Sequence, residues 1–208
     1  MSKRRRVPAM APEDRRAALI AATLPLLREH GTAVSTRKIA EAAGVAEGTI
    51  FGVFPDKASL VRATLMHAFD PRPAVERIQA VGTETDLRTR LSQVVKLVRD
   101  GMKTNERLHA GVGEVAMRDK EFAQHLLSSR RHIADAVAAL MAPDRDRLRR
   151  SPKAAAHLLL MLIAVSTQAK FGPAGDEFSD MDDDGIVSVL LDGLLVRPSP
   201  TPFTESTS

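Results

Sequence analysis

Between Ser35 and Lys57 the chain reads S-T-R-K-I-A-E-A-A-G-V-A-E-G-T-I-F-G-V-F-P-D-K, two short helical patterns joined by a glycine turn. Ser35 is a favourable N-cap, and Ile39, Ala40 and Ala43 share one face of the helix that follows. Gly44 ends that helix, because a residue without Cβ adopts the left-handed conformation of a C-terminal turn at little cost. Val45 then returns to the core, and Glu47 to Phe51 make a second, shorter helix with Ile50 pointing inward and Glu47, Gly48 and Thr49 facing out. A small polar face opened by a glycine suits close approach to another surface, and the free N–H groups at a helix start suit phosphate. The pattern is a helix-turn-helix, and the surface it suits is DNA.

The charge distribution agrees. Residues 1 to 62 carry 11 Lys or Arg against 6 Asp or Glu, whereas the remainder carries 19 against 20, so the whole net charge of +4 and more is concentrated around the helix-turn-helix. A basic part joined to a near-neutral one is the electrostatic footprint of a nucleic-acid-binding regulator. There is no cysteine, which excludes a disulfide framework, thiolate catalysis and cysteine-ligated zinc together. No apolar run approaches the ~20 residues of a membrane span, and the basic cluster Lys3 to Arg6 is not followed by a signal-like apolar segment. A cytoplasmic location is expected.

The run I-A-E-A-A-G-V-A-E-G-T-I-F-G-V-F-P-D-K-A-S-L resembles the DNA-binding domain of the TetR family of bacterial regulators, whose pattern is roughly I-A-x-x-A-G-V-S-x-G-T-[LI]-Y-x-[HY]-F-x-[SD]-K-x-x-L. Gly44, Val45, Gly48, Thr49, Phe54 and Lys57 are all in step with it. Three positions depart: Phe51 stands for the family tyrosine, Val53 for the second aromatic or histidine, and Ala46 for the usual serine. By this resemblance Ser35, Arg37, Thr49 and Lys57 are the leading DNA contacts, with Ala46, Glu47, Gly48 and Phe51 completing the surface. Arg37 is expected at a phosphate or a guanine edge, where its fork can bond N7 and O6, and Lys57 at a phosphate. Glu47 is either an acceptor for a cytosine amino group or simply an exposed helix former. Gly48 lets the backbone approach the duplex, and Phe51 packs or offers a thymine methyl contact.

The rest of the chain reads as helix, so the expected fold is all-α: an N-terminal three-helix domain containing the helix-turn-helix, followed by a helical bundle for effector binding and dimerisation. The expected divisions are a disordered basic arm over 1–10, the DNA-binding domain over 11–56, the bundle over 57–196 and a disordered tail over 197–208. The first helix starts at Pro12 and runs to about Glu29, with Pro25 as a conflict that predicts a kink. A connecting helix over 57–69 is capped by Asp56, and Asp70, Pro71 and Pro73 either stop it or sharply redirect the chain. From Thr85 the spacing of Leu87, Leu91, Val94, Val98 and Met102 predicts an amphipathic helix. Asn105 can cap the next helix, Asp119 to Met141 form a long one, and Asp144 to Arg150 a solvated loop. Ala154 to Ala169 is apolar nearly all round, and a helix without a polar face must be covered on every side. Part of this helix is therefore expected to meet a second subunit, and the resemblance implies that helices 152–168 and 185–196 together form the homodimer interface.

No nucleophile–base pair, phosphate-binding glycine loop or zinc-protease motif is present, so no catalytic residue, cofactor or enzyme activity is expected. Glu121, His125, His132 and Asp135 share a face of the long helix, but His125 and His132 are about 10 Å apart along it, too far to share one ion. Local pairs, Glu121 with His125 and His132 with Asp135, account for them. Asp180 to Gly185 imitates the first half of a calcium loop, yet Leu191 falls where the bidentate glutamate is required, so no metal is expected there either. An effector cavity between the bundle helices would be lined by Val98, Met102, Val115, Met117, Phe122, Leu126 and Leu159, with His125 and Gln168 as polar handles. Taken singly, each of these is better explained as core than as a ligand contact, because a bundle needs an apolar interior whether or not it holds a cavity. The expected function is a ligand-responsive repressor that binds a palindromic DNA operator as a homodimer. A DNA-binding activator or a regulator controlled by a protein partner, and a helical interaction module without DNA binding, are the alternatives.

Overall fold

The computed structural model describes residues 11–168 and 181–194, and every regular element among them is helical. The basic arm, the polar tail and Asp180 lie outside the described residues. The α-helices are α1 (Pro12–His30), α2 (Thr36–Ala43), α3 (Glu47–Phe51), α4 (Lys57–Ala68), α5 (Arg72–Gln79), α6 (Leu87–Thr104), α7 (Glu106–Arg118), α8 (Lys120–Met141), α9 (Pro152–Gln168) and α10 (Asp183–Leu194). None of them is long and apolar enough to cross a membrane.

Two compact units divide the chain. The first runs to Pro73 and includes Asp100–Arg131, so α1 to α4 share it with α7 and the beginning of α8. Its core is Leu19 and Leu27 of α1, Ile39 and Ile50 of the helix-turn-helix, Phe54, Leu60 and Leu65, joined by Leu108 and Phe122. α1 continues through Pro25 to His30. Pro25 and Ala21, whose carbonyl the ring deprives of a donor, are both exposed, so water can take the orphaned acceptor. Thr23 and Leu27, on the opposite side, are completely buried and hold the helix down.

The second unit comprises Ala74–Arg99 and the chain from His132 onward. Here α9 packs on α10, and Leu159, Ile163, Ile186 and Val187 are completely buried. α10 is also tied to α6: Arg99 Nη1 donates to Asp183 at 2.7 Å, and the Ser92 hydroxyl donates to Asp184 at 2.8 Å. The acidic run therefore both starts α10 and anchors it, with Asp182 Oδ1 accepting from the Gly185 N–H at 2.7 Å.

Several sequence expectations are corrected. The stretch after Ala68 is not merely a stop: Asp70 accepts from the Arg72 N–H at 3.0 Å and α5 begins at once, with Pro73 in its first turn where a missing N–H costs nothing. The region following α8 is not a solvated loop throughout. Ala142–Arg147 forms a 3₁₀ turn in which Asp144 faces the guanidinium of Arg90, itself only 3% exposed. Arg90 also donates to the carbonyls of Thr83 and Thr85, so one buried cation fastens the 80–86 connection to the turn after α8. Asn105 precedes α7 but makes no cap; its Oδ1 instead accepts from Arg28 Nε of α1 at 3.0 Å.

Candidate nucleic-acid interface

Each helix of the helix-turn-helix is fixed by a different local device. The Ser35 hydroxyl accepts from the Lys38 N–H at 3.3 Å, satisfying one of the free donors at the start of α2. Gly44, at φ 65°, closes α2: the Val45 N–H returns to the Ala40 carbonyl at 3.0 Å. α3 is anchored by Ile50, which is fully buried, and the chain leaves it through Phe54, 1% exposed, whose ring lies 4.4 Å under the guanidinium of Arg16. Asp56 then caps α4, its Oδ1 accepting from the Ser59 N–H at 2.7 Å, and this bond holds the Asp56 carboxyl below its ordinary pKa.

On this frame Ser35, Arg37, Ala46, Glu47, Gly48 and Phe51 are exposed, while Thr49 in the middle of α3 and Lys57 at the start of α4 are half-buried. Arg37 Nε rests 3.2 Å from Glu41 Oε1, a pair with both partners well exposed. Such a pair contributes well under ~1 kcal/mol, so Arg37 is free to exchange it for a phosphate or base. Ala46 gives α3 no side-chain cap. Phe51 does not pack: it is 51% exposed, because a helix of five residues has one buried face and Ile50 occupies it. Sequence reasoning passed over Thr36. Its hydroxyl donates to Glu47 Oε1, joining the first residue of α2 to the first residue of α3. Nothing in the sequence marks this pair, since the two residues are 11 apart.

The residues proposed to line an effector cavity are distributed unevenly. Met102, Val115, Phe122, His125 and Leu126 lie in the first unit, Val98 and Leu159 in the second. Phe122 and Leu159 are completely buried, and Phe122 packs edge-on to Phe69. Met117 is 83% exposed and lines no interior of its unit. The side chain of Gln168 lies outside the described residues. The helix-face pairs proposed for α8 are replaced by longer-range partners. Glu121 Oε2 lies 3.1 Å from Arg62 Nη1 of α4, His125 Nε2 lies 3.0 Å from the Met66 carbonyl, and Asp135 Oδ1 lies 3.0 Å from Lys153 Nζ. Among the described residues no three His, Asp or Glu are grouped as a metal would require.

An all-helical chain whose basic N-terminal part presents a short, uncapped helix across a glycine turn belongs to the helix-turn-helix class of DNA-binding regulators. Residues 19–64 match the family model described as bacterial regulatory proteins, tetR family. Solved structures agree on the fold across nearly the whole length. A protein from Mesorhizobium loti MAFF303099, described as a putative TetR-family transcriptional regulator, superposes with a TM-score of 0.73 at 15% identity, covering 90% of this chain and 100% of that one. A transcriptional regulator from Rhodococcus sp. Rha1 gives 0.67 at 19% identity over 91% of this chain and 100% of its own. The fatty acid degradation regulator FadR from Bacillus halodurans gives 0.61 at 17% identity, over 91% and 98%.

Proposed function

We propose that this regulator is a ligand-responsive repressor: a homodimer that sets one α3 per subunit into successive major grooves of a palindromic operator and is released by a small-molecule effector. Half-sites lie about one helical turn, ~34 Å, apart. Residues 11–56 read the duplex, and 57–196 bind the effector and the second subunit, in the cytoplasm. The observation that carries the reading is the exposed outer face of α3 beside Arg37, whose one ion pair is a solvent-exposed contact with Glu41, both held on buried Ile39 and Ile50.

Pairing is supported by α9 and α10. Leu158, Met161 and Val165 recur at helical spacing on α9 and remain exposed, as does Val189 on α10. An apolar stripe of this kind on an otherwise well-buried pair of helices is covered by a like surface. Release by an effector is supported by His125, the polar handle of the expected cavity. Its ring already holds the Met66 carbonyl near the end of α4, so a ligand that competes for the ring loosens the helix that follows the DNA reader.

The test is selection of bound fragments from source genomic DNA by the purified full chain, followed by affinity measurements over a range of salt. A palindromic site, a steep salt dependence, and weakening by Arg37→Ala with an unchanged dimer are expected. Absence of any duplex binding at low salt removes the proposal.

A further inference from the structure

We propose that Glu47 reads a cytosine in each operator half-site and that Thr36 is the positioning residue that holds its carboxylate for the purpose. The inference rests on the DNA-binding reading above and adds to it the base recognised.

Within 35–57 three cations, Arg37, Lys38 and Lys57, are balanced by Glu41, Glu47 and Asp56. Glu41 has Arg37 as its partner, and Asp56 is engaged by the Ser59 N–H at the start of α4. Glu47 differs from both. Its carboxylate sits at the first turn of α3, exposed, and no cation lies within ion-pair distance of it among the described residues. What it has is a neutral donor, the Thr36 hydroxyl.

A lone carboxylate brought to the face of a duplex is repelled by the phosphates, and this is tolerable only where a base donor repays it. The major groove offers two such donors, cytosine N4 and adenine N6. Adenine N6 stands beside the acceptor N7, which would face a carboxylate oxygen lone pair to lone pair. Cytosine N4 has a C–H rather than an acceptor beside it on its own base, so only the paired guanine O6 stands near, and a carboxylate approaching from the C5 side avoids it. One carboxylate oxygen is engaged by Thr36, leaving Oε2 with its full acceptor capacity.

A glutamate otherwise surrenders considerable rotamer freedom when fixed against a partner. Here that freedom is restricted before DNA arrives. Thr36 is β-branched and stiff at χ1, and it is the first residue of a helix whose start Ser35 pins through the Lys38 N–H. Preorganisation of this kind sharpens discrimination without requiring another contact.

The experiment is selection from randomised half-sites by the full-length wild type and by Glu47→Ala, Glu47→Gln, Thr36→Val and the Glu47→Ala/Thr36→Val double variant, with thermal unfolding to confirm that each is folded. The wild type is expected to require cytosine at one position, preferring it roughly tenfold to hundredfold. Glu47→Ala should accept all four bases there and keep the remaining preferences. Thr36→Val should relax the same position in part, and the double variant should be no more permissive than Glu47→Ala alone. Retention of the cytosine preference in Glu47→Ala overturns the inference, as does a change in overall affinity with the base preference intact. A uniform loss of affinity in Thr36→Val with the preference unchanged makes Thr36 a phosphate contact and overturns its positioning role. Failure of the wild type to select any sequence overturns the DNA-binding reading itself, a result distinct from the others.

Discussion

His125 of α8 points its Nε2 at the carbonyl oxygen of Met66, 3.0 Å away, in the last turn of α4. One turn further along α8 the Ser129 hydroxyl donates to the Phe69 carbonyl at 2.8 Å, so two acceptors that α4 cannot satisfy within itself are taken by one neighbouring helix. Arg62, in the middle of α4, adds ion pairs to Asp119 at 3.4 Å and Glu121 at 3.1 Å. The helix that follows the DNA reader is held along its length by polar side chains as well as by Leu60 and Leu65.

His125→Leu keeps the bulk and removes the donor. It should cost about 1 kcal/mol, the net worth of a hydrogen bond whose acceptor is left partly accessible to water. Urea unfolding measures it; a variant as stable as wild type would mean that the bond contributes nothing to holding α4.

Burial pushes the pKa of His109 down, with Arg130 adding to the effect, and its ring lies edge-on to Phe69 at 5.0 Å. A depressed folded-state value means that the unfolded chain takes up the proton first, so stability is complete above the ordinary value of 6.5 and declines as pH falls through that value toward the folded one. His109→Phe should flatten that decline. Urea midpoints compared at neutral and mildly acidic pH decide it, and an undiminished slope in the variant would assign the effect elsewhere.

Gly44 and Gly48 should respond in opposite senses. Gly44 has φ 65°, so Gly44→Ala should destabilise by about 1 kcal/mol or somewhat more through backbone strain alone, since a Cβ there meets nothing within 4 Å. Gly48 lies in α3 with ordinary dihedrals and equally open space. Gly48→Ala should therefore raise stability by up to ~1 kcal/mol while weakening operator binding, because the added methyl stands between the backbone and the duplex. Thermal unfolding and binding measured on the same samples separate the two effects.

Arg90 is buried and holds three partners at once, so its removal should be costly. Arg90→Met strands the Thr83 and Thr85 carbonyls and deprives Asp144 of one of its two arginines, Arg147 remaining 2.8 Å away. A loss of about 3 kcal/mol is expected, near the lower end for breaking a buried pair because Arg147 still neutralises Asp144. The Arg90→Met/Asp144→Leu double variant should recover part of that loss in a denaturant titration.

Met161→Glu places a charge in the exposed stripe of α9, whose native methionine is 63% accessible in the single chain. Sedimentation should show the dimer dissociating at concentrations where the wild type remains paired, with folding of the subunit retained. An unaltered dimer would move the interface away from α9.

The helix-turn-helix was legible from residues alone because its determinants are local. Ser35, Gly44 and Asp56 act on backbone groups at most four residues away, and the spacing of Ile39, Ile50 and Leu60 fixes which sides are buried whatever lies against them. The same holds for α6, whose apolar periodicity survives any arrangement of neighbours. α5 escaped notice because two prolines read as an end, although Pro73 is harmless one residue into a helix. What only the tertiary structure decided were the pairings of polar groups distant in sequence: Thr36 with Glu47, Arg90 with Asp144, Glu121 with Arg62 rather than His125. A charged side chain bears no sign of its partner, since several opposite charges are always within reach along the chain. The choice falls to whichever one packing of the apolar faces brings alongside.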